Sequence, residues 1–323
     1  MNKGLKRLGA RVVRFREIGA LSGLIIIMII FTILSNKFLT WANLIGVFTI
    51  TSELGIIAIG VCFLMISGEF DLSVGSVFAI APMVGALLGQ MGVPLILAFF
   101  VGLFAAAVIG FINGILVTKS GIPSFIVTLG AMMFFRGVLL AVSGGFPITY
   151  VGDAPFLDAL GGRTIGGMRS SGIWLIVSTI VFSIILNRTK YGNHVYSVGG
   201  NPGTAKAVGI NVNRVKVINF VICSVMAGLA GFTMFGRFYS IDPTAGQLHE
   251  LEAIASSVIG GALLTGGYGS ILGAFLGAFL IGVMRSGLIL AGAPAYWYQA
   301  FIGVVLVISV IMNTRIRKAV VGE

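Results

Sequence analysis

A chain of 323 residues that is 57% hydrophobic and only 10% charged cannot clothe a water-soluble surface, because soluble domains carry about a quarter charged residues. A bilayer removes that requirement, so the composition excludes an ordinary soluble fold and predicts an all-α polytopic membrane protein. The net charge of +11 raises nucleic acid as a partner, which the placement of the charges then removes.

Windows of about 20 apolar residues predict about ten spanning segments. They fall near 18–35, 44–66, 72–91, 94–117, 123–142, 173–187, 215–236, 250–264, 269–291 and 297–313. The first follows a basic stretch and resembles a signal peptide. Its apolar run is longer than an h-region and no clear small-residue cleavage site follows, so it is read as a retained helix. With the N-terminus inside and ten crossings, the inside segments hold Lys3, Lys6, Arg7, Arg11, Arg14, Arg16, Lys119, Arg188, Lys190, Lys206, Arg214, Lys216, Arg315, Arg317 and Lys318. The outside segments hold only Lys37, Arg163, Arg169 and Arg237. This bias predicts cytoplasmic N- and C-termini and accounts for the basic balance without nucleic acid.

The second segment carries Glu53 and the fifth Arg136. They sit roughly 13 and 10 Å below the outer ends of their helices, which permits an ion pair. Arg285 and Glu252 match less well, because Glu252 falls near the surface. Such pairs either fix helix packing or line an outer vestibule. At the inner boundary, Ile66–Ile80 reads ISGEFDLSVGSVFAI. Asp71 there opens a helix where the dipole favours an anion. It is either a cap or, with Ser73, Gly75 and Ser76, part of an inner gate.

Two polar intervals stand out, 143–172 outside and 187–216 inside. The external one is Gly-, Pro- and aromatic-rich, which predicts an ordered loop or a short helix. In the inner one Gly199-Gly200 breaks the chain, Asn201 is an N-cap and Pro202 suits the first helical position. Residues 203–208, with Ala205 and Lys206, make under two turns before Gly209 ends them. This short capped helix either tidies a long loop or docks a cytoplasmic partner.

The segment at 250–264 is the shortest and is either a full span or a re-entrant piece. Glu53–Ile80 and Glu252–Ala278 echo each other weakly, as a duplicated helical pair would. Gly269, Gly273 and Gly277 recur every fourth residue, the spacing of close helix packing. The Gly-rich stretch lacks the Gly-Lys-Ser/Thr ending of a nucleotide loop. Cys62 and Cys223 read as small core residues. His194 and His249 fall on opposite sides of the membrane. No metal site and no catalytic constellation can be assembled, so the chain is read as a non-enzyme.

Three stretches together resemble the permease subunit of ribose-type monosaccharide ABC importers. They are ISGEFDLSVGSVFAI (66–80), YGNHVYSVGGNPGTAKAVGINV (191–212) and LEAIASSVIGGALLTGGYGSILGAFLGA (251–278). Their order and spacing fit along nearly the whole chain; Glu69-Phe70 departs from the more usual Gly-Ile. The resemblance implies one permease domain over 1–323, with the type II importer fold for which ten spans is the expected count. It implies a second permease subunit in a membrane dimer, a cytoplasmic ABC ATPase, an extracytoplasmic sugar-binding protein and a bacterial inner membrane. It makes 187–216 the coupling loop, with Gly199, Gly200, Asn201, Pro202, Ala205, Lys206 and Gly209 docking the ATPase. No cofactor would be bound by this chain, since ATP and Mg belong to the ATPase. Asn113, Ser124, Phe125 and Thr128, at the inner ends of the fourth and fifth segments, are candidates for a sugar pathway. The competing reading is a secondary transporter or channel acting alone on a small polar solute.

Overall fold

The computed structural model describes residues 17–294, 296–305, 307–308 and 311. The basic residues Lys3 to Arg16 and Arg315, Arg317 and Lys318 lie outside them. Twelve α-helices are defined among the described residues. They are α1 (Ile18–Leu34), α2 (Trp41–Ile66), α3 (Val74–Gln90), α4 (Leu95–Ser120), α5 (Ser124–Ser143) and α6 (Pro155–Gly161), then α7 (Ser170–Arg188), α8 (Lys190–Gly200), α9 (Pro202–Ala207), α10 (Val212–Phe238), α11 (His249–Ile259) and α12 (Ile271–Leu290).

Six of these, α2, α4, α5, α7, α10 and α12, are long and apolar enough to cross a membrane. The expectation of about ten spans is therefore matched by six among the described residues. The 18–35 and 72–91 segments form 17-residue helices, and 250–264 forms only 11 helical residues. The 297–313 segment is helical from 297 to 305 and lies partly outside the described residues.

Helix α2 is the axis of the bundle. It is apolar all round, as a helix enclosed by protein must be, and every residue from Thr51 to Ile66 is buried. It packs on α10, α12, α11 and α7. Close approach is bought by small residues. On α10, Gly231 lies so near the Phe78 carbonyl of α3 that a Cβ there would strike it. The glycine stripe performs the packing expected of it: Gly273 rests on Gly260, Gly277 on the Ser256 backbone and Gly269 on Ile66. Cys62 and Cys223 are buried free thiols.

At one end, which we call the basic end, α2, α4 and α7 finish and α8, α9 and the start of α10 gather. The opposite end holds the 143–172 interval. That interval is ordered, with α6, a 3-10 turn at Ile165–Gly167, and strand β1 (Ile148–Thr149) paired antiparallel to β2 (Ser240–Ile241). Trp41 at the start of α2 donates its indole N–H to the Gly166 carbonyl at 3.2 Å.

Two stretches of non-helical backbone penetrate the bundle. Residues 67–73 lead into α3, and residues 242–248 lead from β2 into α11. Such backbone persists at membrane depth only where protein satisfies its polar groups. Ser124 Oγ accepts from the Phe70 amide and Thr128 Oγ1 from the Leu72 amide, each at 3.1 Å. Arg136 donates to the carbonyls of Pro243 (2.6 Å), Ala245 (3.0 Å) and Gly75 (3.1 Å). Helix α11 spans only about 16 Å by itself at 1.5 Å per residue. It is preceded by the 242–248 stretch, a run of turns in which the Ala245 amide donates to the Asp242 carbonyl, Gln247 to Thr244 and His249 to Gly246, and its own C-terminus leads to the basic end, where Gly267 donates to the Ile66 carbonyl at 2.8 Å.

Candidate functional site: an exposed capped helix and a buried polar midsection

The loop at the basic end is built by local rules. Helix α8 begins at a Thr189 cap that accepts from the Gly192 amide, and it ends at Asn201. Asn201 in turn caps α9, its Oδ1 accepting from the Thr204 amide at 2.9 Å. Pro202 occupies the first turn of α9. Gly209 has φ +86°, the left-handed conformation that closes a helix cheaply only at glycine. The Ile210 amide bonds back to the Ala205 carbonyl at 3.0 Å. Asn211 then caps α10 by accepting from the Arg214 amide.

This unit sits on a rigid seat. Gly199 touches the Ile66 carbonyl and the Gly267 amide so closely that no Cβ fits, and Gly200 lies against Gly267. Tyr196 donates to the Gly269 carbonyl at 2.8 Å, and Tyr191 to Asn219 Oδ1 at 2.6 Å. Ala205 is buried, while Pro202, Lys206 and Val208 are exposed, Val208 at 70%. The element is thus held firmly from behind and bare in front.

The DLSVGS motif is enclosed between α4 and α5 near their basic ends. Asp71 is wholly buried, with Oδ1 accepting from the Ser73 amide (2.8 Å) and hydroxyl (2.6 Å). Ser73 Oγ also accepts from Asn113 Nδ2 at 2.9 Å. Asn113 lies about 10 Å along α4 from its basic end. Asp71 therefore forms an Asx turn inside the bundle that leads into α3. Ser76 donates to the Met132 carbonyl at 2.8 Å, and Gly75 lies against Gly246 and Glu250. Asn113, Ser124 and Thr128 thus brace this motif. Phe125 is 54% exposed on the outer face of α5, apart from them.

The charged residues pair differently from the depth argument. Glu53 Oε2 meets Arg237 Nη2 at 3.0 Å, not Arg136. Depth along a helix says nothing of the direction a side chain faces, and α2 packs on α10, which carries Arg237. Arg136 serves backbone carbonyls instead. Glu252 is buried. Its Oε2 lies 3.5 Å from His249 Nδ1, and the Arg285 guanidinium stands 5.2 Å over the Tyr298 ring. Glu252 and Arg285 do face one cavity, of about 260 Å³, together with Glu53, Arg237, His249 and Tyr298. A further bond absent from the sequence reading joins Glu69 to Lys216 at 2.5 Å. The charge pattern alone could have suggested it, since both residues fall at inner boundaries.

The family described as branched-chain amino acid transport system / permease component matches residues 43–310. The chain is 35% identical over 300 residues to the ribose import permease protein RbsC of Bacillus subtilis, covering 93% of each. It is 33% identical to RbsC of Escherichia coli (strain K12) over 92% of this chain and 93% of that one. It is 32% identical to the xylose/arabinose import permease protein XylH of Sulfolobus acidocaldarius, over 91% and 84%. No solved structure matches the chain. With its polytopic helical bundle and these sugar-permease relatives, the chain belongs to the family of branched-chain amino acid transport system / permease components.

Proposed function

We propose that the chain is the membrane-spanning subunit of an ABC importer that carries a monosaccharide, with ribose-like sugars first, into the cytoplasm. Transport proceeds by alternating access driven by ATP hydrolysis on a separate ATPase. A second permease subunit completes the membrane pathway, and an extracytoplasmic binding protein delivers the sugar. The termini and the 187–216 loop face the cytoplasm of a bacterial inner membrane.

The carrying observation is helix α9. It is capped at both ends by Asn201 and Gly209, backed by Gly199 against α2 and exposed in front. A rigid projecting helix suits a ball that seats in a partner's cleft and moves the bundle behind it. Replacing Gly200, Ala205 or Gly209 by a bulky residue tests this. The expected result is loss of the co-purifying ATPase and of sugar uptake, with the chain still in the membrane. Normal association and uptake in all three variants would refute the assignment. Purification of a fully active transporter without any ATPase would favour a carrier acting alone.

A further inference from the structure

Midway along α2 the cavity of about 260 Å³ brings together Glu53, Arg237, His249, Glu252, Arg285 and Tyr298. Two buried polar atoms on its walls, the acceptor Glu53 Oε1 and the donor Arg237 Nε, have no hydrogen-bond partner among the described residues, while His249 Nδ1 and the Tyr298 hydroxyl both face the Glu252 carboxylate. The Glu53 side chain is 7% exposed and Glu252 6%. Buried polar groups are costly unless something completes their hydrogen bonds, so their concentration around one cavity points to an occupant.

The wall chemistry restricts that occupant. Unmet donors and acceptors occur together, so an ion that only accepts or only donates leaves half of them unmet. Two guanidiniums face two carboxylates, so an anion meets Glu53 and Glu252 and a cation meets Arg237 and Arg285. A neutral molecule bearing several hydroxyls satisfies both kinds of group. At about 30 Å³ per water the cavity has room for roughly eight waters, or for one five- or six-carbon sugar. A second pocket of about 160 Å³, lined mainly by apolar residues, shares Glu252 and Tyr298 with it. The two pockets therefore meet at Glu252 and Tyr298.

We infer that this cavity is a binding site for one neutral polyhydroxylated molecule of monosaccharide size, entered past Glu252 and Tyr298. The inference rests on the reading of the chain as a sugar permease. It adds a site within a single subunit, distinct from the α9 docking element.

The test uses the intact transporter, with its ATPase, in nanodiscs for binding and in proteoliposomes for uptake. Radiolabelled ribose, xylose and glucose are the probes. The expected result is saturable retention of one of them, weakened at least about tenfold in Glu53→Gln and in Glu252→Gln, and lost in the cavity-filling Ile50→Trp. Gly209→Val, remote from the cavity, should lower uptake and leave retention unchanged. Circular dichroism and the melting midpoint identify any variant that has not folded, and Glu53→Gln changes shape least. Retention insensitive to Glu53→Gln and Glu252→Gln would overturn the assignment. So would uptake of a sugar that the wild type never retains, leaving the cavity to water. Wild-type uptake of none of the three sugars would instead refute the functional reading itself.

Discussion

Arg136 offers the sharpest test of how the bundle holds two non-helical stretches at membrane depth. Its guanidinium donates to the carbonyls of Gly75, Pro243 and Ala245, clamping the start of α3 to the 242–248 segment. Arg136→Ala removes the side-chain donor from all three carbonyls. Arg136 is only half-buried, so each bond is taken at the low end for a charged donor, roughly 1.5 kcal/mol, for a total of about 4.5 kcal/mol. At about 2–4 °C per kcal/mol the melting midpoint of the detergent-solubilised protein should fall by about 10 °C. Arg136→Lys keeps one donor and should recover roughly a third of that loss. The assay is the temperature at which the monodisperse peak is lost in size-exclusion chromatography. An alanine variant melting within about 2 °C of wild type, less than 1 kcal/mol by the same conversion, would refute the clamp.

Three further outcomes follow from the same geometry. Gly199→Val should abolish accumulation of the folded chain, because its Cβ would strike the Ile66 carbonyl and the Gly267 backbone; Gly137→Ala, with open space around it, should be tolerated or gain up to about 1 kcal/mol. Thr128→Val leaves the Leu72 amide without its acceptor and should cost about 1–3 kcal/mol, read as a lowered melting midpoint. Arg237→Ala alone strands the Glu53 carboxylate and should cost about 3–5 kcal/mol. Combined with Glu53→Gln it should cost less than the sum of the two single changes, and additive losses in that double-mutant cycle would mean that the 3.0 Å pair carries no coupling.

Features set by neighbouring residues were legible from the amino-acid order. The Asn201 and Gly209 caps are local backbone chemistry, so α9 could be bounded before any fold was known. The glycine stripe at 269, 273 and 277 was legible because close packing demands small residues wherever the partner lies. The charged pairs were not. Depth along a helix follows from residue count, but the facing direction depends on which helices become neighbours, so Glu53 was matched to Arg136 instead of Arg237. The burial of Asp71 was not legible either, because its Asx turn is enclosed only once Asn113 of α4 and Ser124 and Thr128 of α5 pack around it. The cavity was invisible because its six polar residues come from five separate segments of the chain, whose facing directions depend on how those segments pack.

The central claim, that α9 seats in an ATPase, is tested most directly by cross-linking in native membranes. Cys62 and Cys223 are buried, so a cysteine at Val208, 70% exposed beside α9, can be labelled selectively with a photoreactive maleimide; one at Phe146, 74% exposed at the opposite end, is the control. The account predicts a nucleotide-binding ATPase captured from Val208→Cys and none from Phe146→Cys. Capture of no ATPase from Val208→Cys in membranes that still import the sugar, or equal capture from both positions, would contradict it.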